Sequence, residues 1–186
     1  MKFLLIFFTA VFLFQLKEKP PISFTEEYIE FRLRESTFTV NGNYFFVNNT
    51  AGLVSKEITY PFPVPFSKID SVRIFDIAKG TLVQYKKSGQ GVVFHLNIQP
   101  ADTVRLNIFY REIKVKDTAC YILTTTKNWG EPLQKAQYTF ETEKSRRIKS
   151  FSYQPDKKSL TEKARKYFWS KKNFLPDKDF IVVFRH

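Results

Sequence analysis

An all-β fold is what this sequence predicts: a two-sheet antiparallel β-sandwich with one short helix near the C-terminus. Three observations carry that prediction. Apolar residues recur at every second position in run after run, the period at which a strand shows one face to a core. Aromatic residues are abundant, with 21 Phe and 9 Tyr in 186 residues, and they suit a pleated, half-buried surface. Short clusters of turn-forming residues punctuate the runs. With 6 Gly and no low-complexity tract the chain is globular, and a partly closed barrel is the competing arrangement.

The chain starts with Lys2 and an uncharged run from Phe3 to Phe14, apolar but for Thr9, and the first acid is Glu18. That pattern predicts a signal peptide or short membrane anchor over residues 1–16, a linker over 17–25 and a β-sandwich domain over 26–186. This twelve-residue hydrophobic stretch falls short of the roughly 17–25 that cross a bilayer as a helix. No pair of small residues marks a cleavage site, so removal through a weak site and retention as an anchor both stay open. Either route implies an exported protein of the periplasm or cell surface.

The predicted strands follow in order. Ile29, Phe31 and Leu33 alternate with Glu30, Arg32 and Arg34, and Phe38 and Val40 with Thr37, Thr39 and Asn41. Asn41-Gly42 reads as a turn before the aromatic run Tyr44 to Val47. Further stripes are Ile58, Tyr60, Phe62; Val72, Ile74; Val92, Phe94, Leu96, Ile98; and Val104, Leu106, Ile108, Tyr110. Residues 121–126 and 136–142 read as two more strands, and 179–184 as the last. In Tyr60-Pro61-Phe62-Pro63-Val64-Pro65 alternate prolines cannot donate to a ladder, so this segment is an edge or a crossover. The helix is predicted from Ser159-Leu160-Thr161-Glu162, which has capping-box spacing, followed by Leu160, Ala164, Tyr167 and Phe168 on one helical face.

Catalytic chemistry is sparse in this chain. The imidazoles are His95 and the C-terminal His186, and Cys120 is the single cysteine, so no intramolecular disulfide forms. No nucleophile elbow, zinc-binding helix, phosphate loop or dinucleotide glycine motif occurs. Asp177 and Asp179 begin like a calcium loop but lack its remaining ligands, so a turn is expected. We expect no catalytic residues, no metal and no cofactor.

Charge is the clearest functional signal. The formal net charge is +12, and from Glu141 onward 13 Lys or Arg face 6 acids. Lys144, Arg146, Arg147, Lys149, Lys163, Arg165, Lys166, Lys171 and Lys172 are the candidate contacts to an anionic partner: an envelope protein, an acidic polysaccharide or an anionic lipid surface. A merely solvated basic surface is the plainer reading. A strand with Arg105, Asn107, Phe109 and Arg111 on one face has the form of a base-stacking platform, but export would separate it from nucleic acid.

Tyr121-Ile122-Leu123-Thr124-Thr125, then Trp129-Gly130-Glu131-Pro132-Leu133, and the late Asn173-Phe174-Leu175-Pro176-Asp177, resemble a signature of uncharacterised exported bacterial β-sandwich proteins. The resemblance implies an envelope domain and transfers no active site. Gly130 and Pro132 suit a tight turn, and Trp129 is expected either to anchor that turn on the core or to stack on a ligand. The functional expectation is a non-catalytic binding or assembly module of the cell envelope. A hydrolase of envelope polymers, with acids that the sequence does not single out, is the alternative.

Overall fold

A computed structural model describes residues 19–63, 68–113 and 115–185. The predicted leader, Val64-Pro65 of the proline segment and His186 lie outside these residues. Among the described residues there are fourteen strands: β1 (Ile22–Arg34), β2 (Thr37–Asn48), β3 (Val54–Pro61), β4 (Lys68–Asp76), β5 (Thr81–Leu82), β6 (Lys86–Ser88), β7 (Gly91–Ile98), β8 (Thr103–Ile113), β9 (Thr118–Tyr121), β10 (Leu133–Glu143), β11 (Arg147–Phe151), β12 (Lys157–Leu160), β13 (Ala164–Phe174) and β14 (Phe180–Arg185).

They form one large layer and one divided layer. The large layer is an eight-stranded sheet ordered β12-β13-β10-β1-β2-β8-β4-β5. The other side of the core is shared by two three-stranded sheets, β11-β14-β9 and β3-β7-β6. Period two builds both, as the alternation predicts: Ile29, Phe31 and Leu33 of β1, and Leu106, Ile108 and Tyr110 of β8, are buried. Aromatic rings stitch the layers. Phe31 stacks on Phe180 of β14 with centroids 4.5 Å apart, and Phe62, just past β3, lies 4.9 Å from Tyr110.

The sandwich is not purely antiparallel, because β1 pairs with β10 in parallel from Glu26↔Lys135 to Leu33↔Thr142. β1 also begins at Ile22, inside the segment expected as linker. A register irregularity between Phe24 and Glu26 shifts the alternation there, so Ile22 and Phe24 are buried on even numbers and Ile29 onward on odd.

The helix near the C-terminus does not form. Residues 157–160 are β12 and 164–174 are β13, so Ser159 and Leu160 of the capping box belong to a strand, while Thr161 and Glu162 lie in the hairpin turn. There the Thr161 amide donates to the Ala164 carbonyl, and the Ala164 amide donates to Thr161 Oγ1 at 3.0 Å. Leu160 is 61% exposed, so the supposed apolar helix face has no anchor. Tyr167 and Trp169 are buried at strand spacing instead, and β13 pairs with β10 from Leu133↔Phe174 to Glu143↔Ala164.

One turn and one strand assignment also change. Asn41-Gly42 lies inside β2, whose hairpin to β1 turns at Glu35 with φ 46°. Gly42 is glycine because the Tyr44 ring covers its α-carbon and a Cβ would collide with that ring. Residues 121–126 are not one strand: β9 ends at Tyr121, and Thr124–Trp129 form a 3-10 helix closed by Gly130 at φ 77°. Gly91 permits a second close approach, since a Cβ there would meet the Tyr60 carbonyl oxygen and stand 2.9 Å from Pro61 Cα.

Candidate functional site

The division of the second layer creates the site. Among the described residues β3 pairs only with β7, and β9 only with β14. The open edge of β3 therefore faces the end of β9 and the 3-10 helix across a cleft of about 340 Å³. That is several times the space of a single water and close to the low end for small-molecule sites. β1, β2 and β8 of the large sheet supply its floor through Phe24, Glu27, Tyr44, Phe46 and Ile108.

Three phenols meet in the cleft. Tyr44 Oη is 2.8 Å from Tyr60 Oη and 2.9 Å from Tyr121 Oη, joining β2, β3 and β9. Beside them is Glu27, 1% exposed, which accepts the Tyr138 hydroxyl at Oε1. Burial raises the Glu27 carboxyl to about 7, and the Tyr138 hydrogen bond only partly offsets it. The same burial pushes the phenols of Tyr44, Tyr60 and Tyr121 up, so all three stay neutral hydrogen-bonding groups.

Trp129 stands at the mouth. It is half-buried, its ring 5.2 Å from Phe46 and 5.9 Å from Phe24, so it anchors the 3-10 helix on the core and also lines the cleft. The Lys56 ammonium lies over that ring at 4.4 Å. Glu57 lines the rim of the same cleft, but its strand neighbour Ile58 is the buried one. The Glu57 side chain is directed to the opposite face of β3, where it meets His95 at 3.8 Å.

The nine basic candidates do not form one patch. Lys144 and Lys163 come together, since the Lys144 amide donates to the Lys163 carbonyl at 3.2 Å, and Arg165 is next to them opposite Thr142. Arg147 and Lys149 are exposed on β11. Arg146 is buried: it donates to the Glu35 carbonyl at 2.7 Å and packs 5.2 Å from the Phe184 ring. Lys166 pairs with Glu141 at 2.9 Å and Lys171 with Asp156 at 2.8 Å. Lys171 and Lys172 sit about 20 Å along β13 from Arg165, at a rise of roughly 3.3 Å per residue.

Other sequence-singled residues have structural tasks. Asp179 accepts the amides of Leu123 and Thr124 and so starts the 3-10 helix, and Asp177 accepts the Tyr153 hydroxyl. Cys120 has its thiol pushed up to about 12, chiefly by burial, and sits in a different sheet from the exposed His95. On the outer face of the large sheet Arg111 makes a two-pronged pair with Asp70, and Asn107 bonds Asn41 and Asn43. Among the described residues no group of three or more His, Cys, Asp or Glu could hold a metal, and no helix is long and apolar enough to cross a membrane.

Glu27 is the residue that sequence reasoning missed. Its signal was parity: Glu27 shares the odd-numbered face with Ile29, Phe31 and Leu33, an acid in phase with a core stripe.

Fold and cleft together define an all-β sandwich with a small aromatic-lined site between the halves of one layer. The family model for a domain of unknown function, DUF4424, matches residues 110–183, a stretch shorter than half the chain that includes Trp129 and the Asn173–Asp177 segment. A candidate nutrient binding protein from Legionella pneumophila subsp. pneumophila str. Philadelphia 1 superposes with a TM-score of 0.73 at 15% identity, over 90% of this chain and 68% of its own. An M1 zinc metallopeptidase from Deinococcus radiodurans gives a TM-score of 0.51 at 9% identity, over 89% of this chain and 43% of its own, so this chain spans less than half of that enzyme. At these identities the likenesses concern the fold alone. A search of curated proteins gave no match.

Proposed function

We propose that this chain is a non-catalytic binding module of the bacterial cell envelope, and that the cleft between β3 and β9 is its ligand site. The cleft itself carries the reading: about 340 Å³ walled by aromatic rings, with converging hydroxyls and a buried carboxyl in its floor. Such a concave, mostly apolar space with a few placed polar groups is the usual form of a small-molecule site. The likeness to a candidate nutrient binding protein agrees with this use of the fold.

A raised carboxyl in a cleft is also what a general acid requires. Hydrolysis of a glycosidic bond needs a second carboxylate across the scissile bond, and Glu57 turns away to His95. Binding rather than turnover is therefore the better use of Glu27. A thermal-shift screen of small metabolites against the protein tests the reading. Compounds that raise the melting temperature of the wild type are expected to lose that effect in Trp129→Ala. A screen without a single such compound overturns it.

The end of the sandwich holding Lys144, Arg147, Lys163 and Arg165 fits an anionic partner, because the Lys144–Lys163 contact brings two basic turns side by side. Sedimentation with vesicles rich in phosphatidylglycerol should be lost at about 0.5 M salt and weakened in Lys144→Glu/Lys163→Glu, with neutral vesicles as the control. Equal sedimentation with both vesicle types would leave that end as plain solvated surface.

A further inference from the structure

We propose that the cleft binds a small organic cation, an alkylated ammonium group held between the Trp129 ring at the mouth and the Glu27 carboxylate in the floor. The inference rests on the reading of the cleft as a ligand site and adds the chemistry of its occupant.

The cleft is built as an aromatic cage. Trp129 at the mouth packs tilted on Phe46 and Phe24 of the floor, at centroid distances of 5.2 and 5.9 Å, and Phe24 stacks on Phe46 at 5.1 Å; Tyr44 adds its ring to that floor, and Tyr60 and Tyr121 come in from the two walls. An aromatic ring attracts a desolvated cation over its face through its quadrupole. The protein already puts a cation on this surface, since the Lys56 ammonium lies 4.4 Å from the Trp129 centroid. Lys56 is exposed on the rim, so its ammonium is a tethered competitor that can swing back to water.

Glu27 supplies the second, independent reason. It is 1% exposed, and among the described residues it makes no ion pair; the groups facing it are phenols. A buried carboxylate without a cationic neighbour is costly, and a ligand cation would provide the neighbour. Other ligand classes fit less well. An anion would meet the Glu27 charge. A neutral sugar would find the floor hydroxyls already joined to one another through Tyr44 and would leave the acid unused.

Binding should depend on pH in one direction. The groups around Glu27 are Tyr138 from β10, Tyr44 from β2, Tyr60 from β3 and Tyr121 from β9, all held neutral by burial, with Glu112 of β8 acting on Tyr60 and Lys56 at the mouth. Glu27 therefore titrates as the ligand-facing group. With its carboxyl at about 7, the anionic form rises about tenfold between pH 6 and pH 8, and cation affinity should rise by the same factor.

Isothermal titration of the full chain tests this with choline, tetramethylammonium and the uncharged choline isostere 3,3-dimethylbutan-1-ol, at pH 6 and pH 8. Choline should bind at least tenfold more tightly than the isostere at pH 8, and Glu27→Gln should remove that preference. Lys56→Ala, an exposed substitution that leaves the core untouched, should tighten choline binding severalfold by removing the competitor. If the isostere or a neutral saccharide such as maltose binds as well as choline, in a manner that Trp129→Ala abolishes, the cation inference fails while the cleft remains a binding site. If choline affinity is unchanged by Lys56→Ala and by pH, the inference also fails. If no probe binds and the thermal-shift screen is empty, both readings fall.

Discussion

Phe31→Ala is expected to cost about 3–5 kcal/mol of stability, the range for deleting a fully buried aromatic side chain. Phe31 is 0% exposed and lies where the large sheet meets the β11-β14-β9 sheet. It stacks on Phe180 at 4.5 Å and on Phe38 at 5.8 Å, and it touches Tyr121 at 5.4 Å and Tyr138 at 6.1 Å. Those last two rings belong to the phenol cluster and to the Glu27 hydrogen bond, so a cavity here would loosen the floor of the cleft as well as the core. The melting temperature should fall on the order of 10 °C. Phe109→Ala, on the solvent face of β8, is the matched control and should change stability by no more than about 1 kcal/mol. Urea denaturation of both variants checks the pair, and similar losses in the two would contradict the layered packing described here.

Much of this architecture was legible in the sequence, and the failures have physical causes. Alternation marked the large sheet and most strands because one face of each is wet and carries mostly polar residues. The C-terminal helix was misread because Leu160, Ala164, Tyr167 and Phe168 satisfy a helical spacing by coincidence. Non-local pairing of β13 with β10 overrode that local signal, as tertiary context does for propensity. Asn41-Gly42 misled for a different reason: its glycine answers to the Tyr44 ring above it rather than to a turn. The parallel β1–β10 pair and the split of the second layer leave no local trace, since both follow from which distant strands meet. The site was hidden for that reason. Trp129 was visible by type, whereas Tyr44, Tyr60 and Tyr121 become one cluster only when three sheets assemble. The basic candidates were visible by count, yet Arg146 turns inward beneath Phe184, because charge counts carry no direction.

Wild-type stability should fall as pH rises from about 4.5 to about 7, by about 3 kcal/mol, through Glu27 alone. The sign follows from where the proton is held. Unfolding returns Glu27 to its ordinary carboxyl value of 4.5, whereas the folded protein keeps the proton up to about 7. Below 4.5 both states are protonated and the contribution is fully present. Between the two values the unfolded chain releases the proton and the native chain does not, so each pH unit favours unfolding; above 7 both are ionised and the loss is complete. Acids held below their ordinary range act the other way. Asp70, Glu141, Asp156 and Asp177, stabilised by Arg111, Lys166, Lys171 and Tyr153 respectively, contribute stability that is lost only as pH falls below the carboxylate range. Glu27→Gln separates the two trends, because it keeps the shape of the side chain and removes its titration. Urea unfolding of wild type and variant at pH 4.5, 6 and 8 should give a stability difference that moves in favour of the variant by about 3 kcal/mol across the range. A difference that stays flat from pH 4.5 to 8 would mean that Glu27 titrates as an ordinary exposed acid, and the cleft floor would then lack the buried carboxyl on which its chemistry depends. A bound cation should oppose the trend, since it stabilises the ionised form of Glu27 and returns part of the stability that the empty cleft loses at high pH.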